Sequence, residues 1–186
     1  GNCYHAVTLG NQTWMVENLK ATSLNDGTPI QLVEDEYEWE YANTPAYCWY
    51  DNDSAANHND YGVLYNWNTI KTGKLAPAGW HVATNEEWDT LVAFLGGSYE
   101  AASKLKEAGN VHWIDHYNAT NETGFTALPG GVRSYTYFQD KGYTGFWWTS
   151  TQNDNTSAKA RIISYYYAEF SNLNKNNGMS VRCVLD

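Results

Sequence analysis

The sequence predicts an α+β fold of short strands, two or three helices and long loops. Three observations carry the prediction. Near the start, Ala6-Val7-Thr8-Leu9 and Gln12-Thr13-Trp14-Met15-Val16 flank Gly10-Asn11, the pattern of a two-residue hairpin. In the middle, residues 84–95 carry a capping box and one apolar stripe, the pattern of a core helix. At the end, Phe146-Trp147-Trp148-Thr149-Ser150-Thr151 and Ser180-Val181-Arg182-Cys183-Val184 are dense in aromatic and β-branched residues, as strands are.

Between these, each stretch has its own signal. Residues 17–28 read as loop, closed by Asn25-Asp26-Gly27. The acidic run Glu34-Asp35-Glu36-Tyr37-Glu38-Trp39-Glu40 reads as an exposed turn of helix or loop rather than a cation site. Tyr47-Cys48-Trp49-Tyr50 is a short aromatic strand. Asp51 and Asp53 follow it; they are hard oxygen ligands of the kind calcium takes, but without EF-hand spacing they read as turn residues. Residues 61–70 place Val63, Leu64, Trp67 and Ile70 at helical spacing, ending near Gly73. Pro77-Ala78-Gly79-Trp80 turns the chain into His81-Val82. Thr84 and Glu87 then cap the core helix, Trp88, Leu91, Val92 and Leu95 line its buried face, and Gly96-Gly97 ends it. A second helix is expected over residues 99–107, with Glu100 and Lys104 as an i,i+4 pair. Val111-His112-Trp113 and residues 124–133 read as loop and strand, and residues 135–145 as a surface excursion rich in Tyr and Gly.

Composition narrows the function. The 186 residues suit one domain spanning 1–186 and are enough to bury a core. Nine Trp and fifteen Tyr point to a loop-rich interior wedged by flat rings, with some left over for contacts. Eleven Lys and Arg against 21 Asp and Glu give a net charge of −10 without a basic cluster, which argues against nucleic acid and anionic membranes as partners. No apolar run is long enough to span a bilayer. Cys3, Cys48 and Cys183 form neither a CxxC nor a zinc pattern; one disulfide and three reduced thiols both remain open, and the expectation is that no bridge is essential. HExxH, P-loop, GxSxG and dinucleotide motifs are missing. His5, His58, His81, His112 and His116 are scattered, and the spacing of the last two reads as structural or exposed rather than metal-binding. No catalytic residue, metal or cofactor is expected.

Binding chemistry gathers at the C-terminal end. Twelve of the 27 residues from 152 to 178 are Asn, Tyr or Ser, with Ala158, Ile162 and Phe170 threaded through them. Tyr gives a large contact area for two torsions, and Asn and Ser give adaptable hydrogen bonds, as in antibody paratopes. A polar segment held at both ends by strands is a place where binding resides. The candidate ligand-binding residues are Asn153, Asn155, Lys159, Arg161, Ser164, Tyr165, Tyr166, Tyr167, Glu169, Asn172 and Asn174. Strand alternation turns some inward, Tyr165 and Arg161 above all.

Several blocks together resemble one family. They are Gly10-Asn11-Gln12-Thr13-Trp14-Met15-Val16-Glu17-Asn18-Leu19, Tyr61-Gly62-Val63-Leu64-Tyr65-Asn66-Trp67, Ala76-Pro77-Ala78-Gly79-Trp80-His81-Val82, Glu86-Glu87-Trp88, Gly124-Phe125-Thr126-Ala127-Leu128-Pro129-Gly130-Gly131, Trp147-Trp148-Thr149-Ser150-Thr151 and Ser180-Val181-Arg182-Cys183-Val184. Their order and coverage resemble the Fibrobacter succinogenes major paralogous domain. The resemblance implies a C-type-lectin-like fold, related to formylglycine-generating enzymes, with small twisted antiparallel sheets flanked by two or three helices and with paired N- and C-terminal strands. It also implies a secreted or envelope location, often as an outer-membrane lipoprotein of Bacteroidetes with a lipid anchor upstream.

Two branches of that group differ in chemistry. The formylglycine-generating oxidases need two cysteines near the C-terminus, where this chain has only Cys183, and calcium-dependent lectin motifs are missing. The variable proteins of diversity-generating retroelements display a C-terminal repeat in which Asn codons are rewritten, and residues 147–183 resemble one. Lys159, Glu169 and Lys175 would then be fixed by the template. The expected function is a non-catalytic, adhesin-like binding module for a protein or glycan ligand. The alternatives are a structural subunit of a surface assembly and a formylglycine-type enzyme.

Overall fold

The computed structural model describes residues 2–115 and 118–186; His116, one of the two spaced histidines, lies outside them. The first hairpin forms as expected, with β1 (Ala6–Leu9) and β2 (Gln12–Met15) antiparallel around Gly10, whose φ of 63° suits glycine. After the loop comes β3 (Gln31–Leu32). The acidic run then folds as the helical turn α1 (Glu36–Glu40), whose amides Tyr37 N and Glu38 N donate to Asp35 Oδ1 at 2.9 and 3.0 Å. The aromatic strand is β4 (Ala46–Cys48). A 3-10 turn at Tyr50–Asn52 and α2 (Ser54–Asn57) follow, the latter capped by the Asp53 carboxylate.

Residues 61–70 differ from the expectation of one helix. Leu64 and Tyr65 form β5, paired with β4, and only Trp67–Lys71 (α3) is helical. Two residues decide this. Gly62 sits at φ 75°, where a Cβ would meet the Leu19 carbonyl at 2.9 Å. Asn66 accepts Thr69 N at 3.1 Å and so starts the helix there. Val63, Leu64, Trp67 and Ile70 are all buried, and a strand buried on both faces shows no period-2 alternation to set it apart from a helix.

Next come β6 (Trp80–Val82) and the core helix α4 (Asn85–Phe94). Its capping box is complete: Thr84 Oγ1 accepts Glu87 N at 3.1 Å, and Glu87 Oε2 accepts Thr84 N at 2.8 Å. Trp88 and Leu91 are fully buried. The second helix, α5 (Ser98–Leu105), stops short of the expected 107 because Lys106 turns extended and bridges to Ala127. The expected Glu100–Lys104 pair does not form; the Lys104 ammonium reaches Glu122, 3.4 Å away on the loop that packs beside the helix. Residues 111–113 make no strand. Trp113 is instead fully buried, donating its Nε1 to Ala127 O at 2.9 Å, while Val111 lies exposed. The excursion at 135–145 contains a small hairpin with its neighbour, β7 (Val132–Ser134) and β8 (Tyr137–Gln139).

The C-terminal part supplies the largest correction. The Asn-rich segment is not a loop between strands but is mostly strand itself. β9 (Gly145–Gln152), β10 (Ser157–Ile163) and β11 (Ala168–Asn174) form a meander, followed by β12 (Ser180–Val181) and β13 (Cys183–Leu185). One sheet runs β1-β2-β13-β6, so strands from the two ends of the chain pair, Val184 against Trp14. The other large sheet runs β11-β10-β9-β12. Along β10, Ala158 and Ala160 are buried on one face and Arg161 and Ile163 on the other, while Ser157 and Lys159 stay partly exposed. That alternation, more than the Asn content, decides for strand.

One buried polar cluster joins the sheets. Asn18 Oδ1 accepts Trp147 Nε1 at 2.8 Å and Arg182 Nε at 2.9 Å, while its Nδ2 donates to Tyr61 O at 2.9 Å and Ser180 Oγ at 3.2 Å. The Arg182 guanidinium also donates to the carbonyls of Met15, Phe125 and Thr126 at 3.1, 2.8 and 3.0 Å. Burial pulls its pKa down to about 9, so it remains a cation at neutral pH.

Candidate functional site on the C-terminal hairpin

The β10–β11 hairpin sits at the edge of its sheet with its two ends apart. Register pairs Ser157 with Asn174, Lys159 with Asn172, Arg161 with Phe170 and Ile163 with Ala168. These pairs share the face turned toward α4 and α5. The strands have seven residues, so the two ends stand about 20 Å apart at roughly 3.4 Å per residue. The expected site residues therefore divide into separate groups.

The turn end is aromatic. Ser164 N donates to Tyr167 O at 3.0 Å, closing a turn that presents Tyr165, Tyr166 and Tyr167. Tyr99, from the first turn of α5, stands beside them, its ring stacked on Tyr166 at 6.4 Å and edge-on to Tyr167 at 6.4 Å. Tyr165 meets Tyr166 at 4.1 Å. Tyr99, Tyr166 and Tyr167 are all close to half exposed, and Phe170 slightly more so. The buried Lys106 ammonium donates to Tyr165 O at 2.8 Å and fixes the turn from beneath. Beside this cluster lies an open hollow of about 360 Å³, lined by Val92, Ser98, Arg161, Ala168, Glu169 and Phe170. Ser98 Oγ accepts Ala168 N at 3.1 Å, which ties the start of β11 to the start of α5.

Along the strands the roles separate. Arg161 is buried, pairs with Asp89 of α4 and lies 5.9 Å from the Trp88 ring, as its inward assignment requires. Burial lowers its pKa, and Asp89 works in the opposite direction. Tyr165 is half-buried. Lys159 lies 5.1 Å over the Phe170 ring, with Asn172 opposite it and exposed. Glu169 is exposed on the other face of β11, so it does not share a surface with Asn172.

The open end is amide-rich. Asn153 Nδ2 donates to Asp154 Oδ2 and Ser157 Oγ, both at 2.9 Å, so Asn153 belongs to the turn. Hydrogen bonds from the Ser157 hydroxyl and from Thr156 and Ser157 amides hold the Asp154 carboxyl well below the usual carboxylate range. Asn155 and Asn174 line a second hollow of about 340 Å³ with Tyr41, Asn43, Asn68 and Asn176. Several contacts fix its walls. Trp39 Nε1 donates to Asn176 O at 2.7 Å, Asn176 Nδ2 to Glu40 O at 2.5 Å, and Arg133 Nη1 and Nη2 to the carbonyls of Val33, Glu34 and Asp35. Gly178 is needed there, since a Cβ would come within 2.8 Å of Trp39.

The family model described as the Fibrobacter succinogenes major domain matches residues 7–185. The chain belongs to that family. No curated relative and no solved structure matches it. The family blocks fall on the scaffold: Asn18, Tyr61, Phe125, Thr126, Trp147, Ser180 and Arg182 meet in the buried polar cluster. The hairpin hangs outside it. Sequence reasoning missed Tyr99, Val92, Tyr41, Asn43, Asn68 and Asn176. Tyr41-Ala42-Asn43 has the same Tyr and Asn chemistry as the hairpin, and that was the one available signal.

Among the described residues, no three His, Cys, Asp or Glu side chains group as a metal site, and no helix is long and apolar enough to cross a membrane. Asp51 sits in left-handed backbone within the 3-10 turn, and Asp53 spends a carboxylate oxygen on capping α2. His112 is taken up by Glu107 at 2.8 Å and Asp60 at 3.7 Å. Cys3 is exposed, Cys48 and Cys183 are buried, and all three are free thiols.

Proposed function

We propose that this domain is a non-catalytic, adhesin-like binding module of the cell envelope or extracellular space, with a C-type-lectin-like fold, whose ligand contact lies on the aromatic turn of the C-terminal hairpin. The observation that carries the reading is the cluster of Tyr99, Tyr166, Tyr167 and Phe170, each about half exposed beside an open hollow. Rigid aromatic rings on a strand-anchored turn gain contact area with little ordering cost, and Tyr is enriched among interface hot spots. An enzyme would call for converging polar groups with perturbed acids. The aromatic hollow instead sets Val92, Ala168 and Phe170 beside a single carboxylate, Glu169, and two polar groups already engaged within the fold, Arg161 with Asp89 and Ser98 with the Ala168 amide. Cys183, the only cysteine of the C-terminal region, is fully buried and its thiol is pushed up to about 12, which speaks against thiolate chemistry of the formylglycine-generating kind. The ligand is a protein or glycan.

Diversification by a retroelement fits the same hairpin. Its Asn and Tyr positions 153, 155, 166, 167 and 172 are exposed, while Ala158, Ala160 and Ile163 are buried. Rewriting the former would leave the packing of the latter untouched. Glycan and surface-protein arrays probed with wild type and with Tyr166→Ala/Tyr167→Ala test the reading. Loss of about 1–2 kcal/mol or more of binding, with an unchanged melting curve, is expected. Equal binding by both proteins would place the site elsewhere. A stable oligomer that hides both tyrosines would make the domain a structural subunit instead.

A further inference from the structure

We infer that the hollow at the open end of the hairpin is a second, separate binding site, for a neutral saccharide. The hollow joins three distant stretches of chain: the end of α1 with Tyr41 and Asn43, Asn68 on α3, and Asn155, Asn174 and Asn176 from the hairpin. Its backbone is held by internal bonds, but much of its side-chain capacity is unspent. Among the described residues, Asn43 and Asn155 make no side-chain hydrogen bond. Asn174 uses only Oδ1, toward Asn176 N at 2.9 Å, and Asn68 only Nδ2, toward Ala42 O at 3.2 Å. Each amide offers an acceptor oxygen and two donor hydrogens. A wall of such groups matches a ligand whose every polar group both donates and accepts, and a sugar hydroxyl is that group.

Three further features select among ligands. Tyr41 is 75% exposed at the rim, so its ring is free to lie against the apolar C–H face of a pyranose. The only charged side chains in the lining, Glu40 and Lys175, are of opposite sign. Lys175 is further committed, its ammonium bonded to Asp154 O and 4.7 Å over the Trp67 ring. The site thus offers no net charge to a sulfated, sialylated or phosphorylated ligand. A volume of about 340 Å³ falls at the low end of the roughly 300–1,000 Å³ typical of small-molecule sites, the size for one or two sugar rings. The two ends of the hairpin are too far apart for one such ligand to touch both, so this site does not rest on the aromatic turn.

An array of neutral, N-acetylated, sulfated and sialylated glycans, followed by calorimetry with the best-retained free oligosaccharide, tests the proposal. Wild type, Tyr41→Ala, Asn43→Ala/Asn155→Ala and Tyr166→Ala/Tyr167→Ala are compared. Among the described residues, the side chains of Tyr41, Asn43 and Asn155 make no hydrogen bond, so the melting curves of these variants should match wild type. The expected result is retention of neutral glycans, at least tenfold weaker in Tyr41→Ala and in Asn43→Ala/Asn155→Ala, and unchanged in Tyr166→Ala/Tyr167→Ala. Retention of charged glycans alone, retention of none, or a neutral glycan bound equally by the Tyr41 and Asn43/Asn155 variants would each overturn it. A neutral glycan lost only in the tyrosine variant would move saccharide recognition to the aromatic turn and also refute this site.

Discussion

Replacing Arg182 with Met tests the polar cluster that joins the sheets. Two effects oppose each other. Holding a cation where burial pulls its pKa down to about 9 costs the folded state on the order of 5 kcal/mol, which Met would recover. Against that stand four charge-assisted bonds, to Asn18 Oδ1 and to the carbonyls of Met15, Phe125 and Thr126. At about 1.5–3 kcal/mol each they amount to roughly 6–12 kcal/mol. Buried ion pairs can often be replaced by apolar groups because both partners are removed together. Here three of the partners are backbone carbonyls, which no substitution can remove, so the bonds win. The expected net loss is about 4 kcal/mol, a large part of the roughly 5–15 kcal/mol that holds a domain folded. Urea unfolding followed by tryptophan fluorescence reads it, since Trp147 donates into the same cluster. A variant within about 1 kcal/mol of wild type, at unchanged m-value, would show that the carbonyls find other partners and that the cluster is not the joint.

Other expectations follow from single contacts. Trp88, fully buried and 4.7 Å from Trp14, should cost about 3–5 kcal/mol as Trp88→Ala in urea unfolding. Trp88→Phe should cost much less, because the indole Nε1 has no partner to lose. His81 bridges Glu87 and Asp186, each at 2.7 Å; burial opposes its charge, but the two hydrogen bonds prevail and raise its pKa above 6.5. Its contribution is thus fully present below the unfolded value and is lost as pH rises through the raised folded one. The stability gap between wild type and His81→Gln should be small, since the ring is partly exposed, and should shrink as pH rises above the ordinary histidine range; a gap that widens refutes the assignment. Thiol titration should find three reactive cysteines after denaturation but only Cys3 in the native protein, where burial pushes Cys48 and Cys183 up to about 12. Fewer than three in denaturant would mean a bridge.

The parts of the fold that were legible in the sequence are those specified by neighbours in sequence. The first hairpin needs only Gly10-Asn11 between two apolar runs, and α4 needs only Thr84, Glu87 and one stripe. Residues 61–70 were misread because burial on every side erases the difference between the two periodicities; the deciding residues, Gly62 and Asn66, act through the Leu19 carbonyl and the first turn of α3. The hairpin was misread in the opposite sense. Asn is poor in strands by propensity, but β11, which carries Asn172 and Asn174, takes its pairing from β10, and tertiary context overrides the local preference. The site suffered more than the fold. Tyr99 meets Tyr166, and Tyr41 comes to line one hollow with Asn155, only after α5 and α1 dock, and no local pattern encodes that.

The buried joint and the exposed ends of the hairpin use different residues, and this division makes a display surface feasible. The cluster of Asn18, Trp147 and Arg182 sits where strands from both ends of the chain converge, so a change there is felt by both large sheets. The hairpin is paired to that cluster through β9, where Arg161 lies opposite Trp147. Three of its inward positions are small, Ala158 and Ala160 against one core and Ala168 against the other, and the large ones, Arg161 and Ile163, face α4 and α5. Its outer edge is a long unpaired strand, which would invite edge-to-edge aggregation if it were apolar. Glu169 and Asn172 are exposed along it, and Lys175 follows at its end, charge and polarity of the kind that blunts such an edge. Exposed Tyr and Asn can therefore gather at the two ends of the hairpin, beside helices that complete each surface, without burdening the core that holds the strands in place.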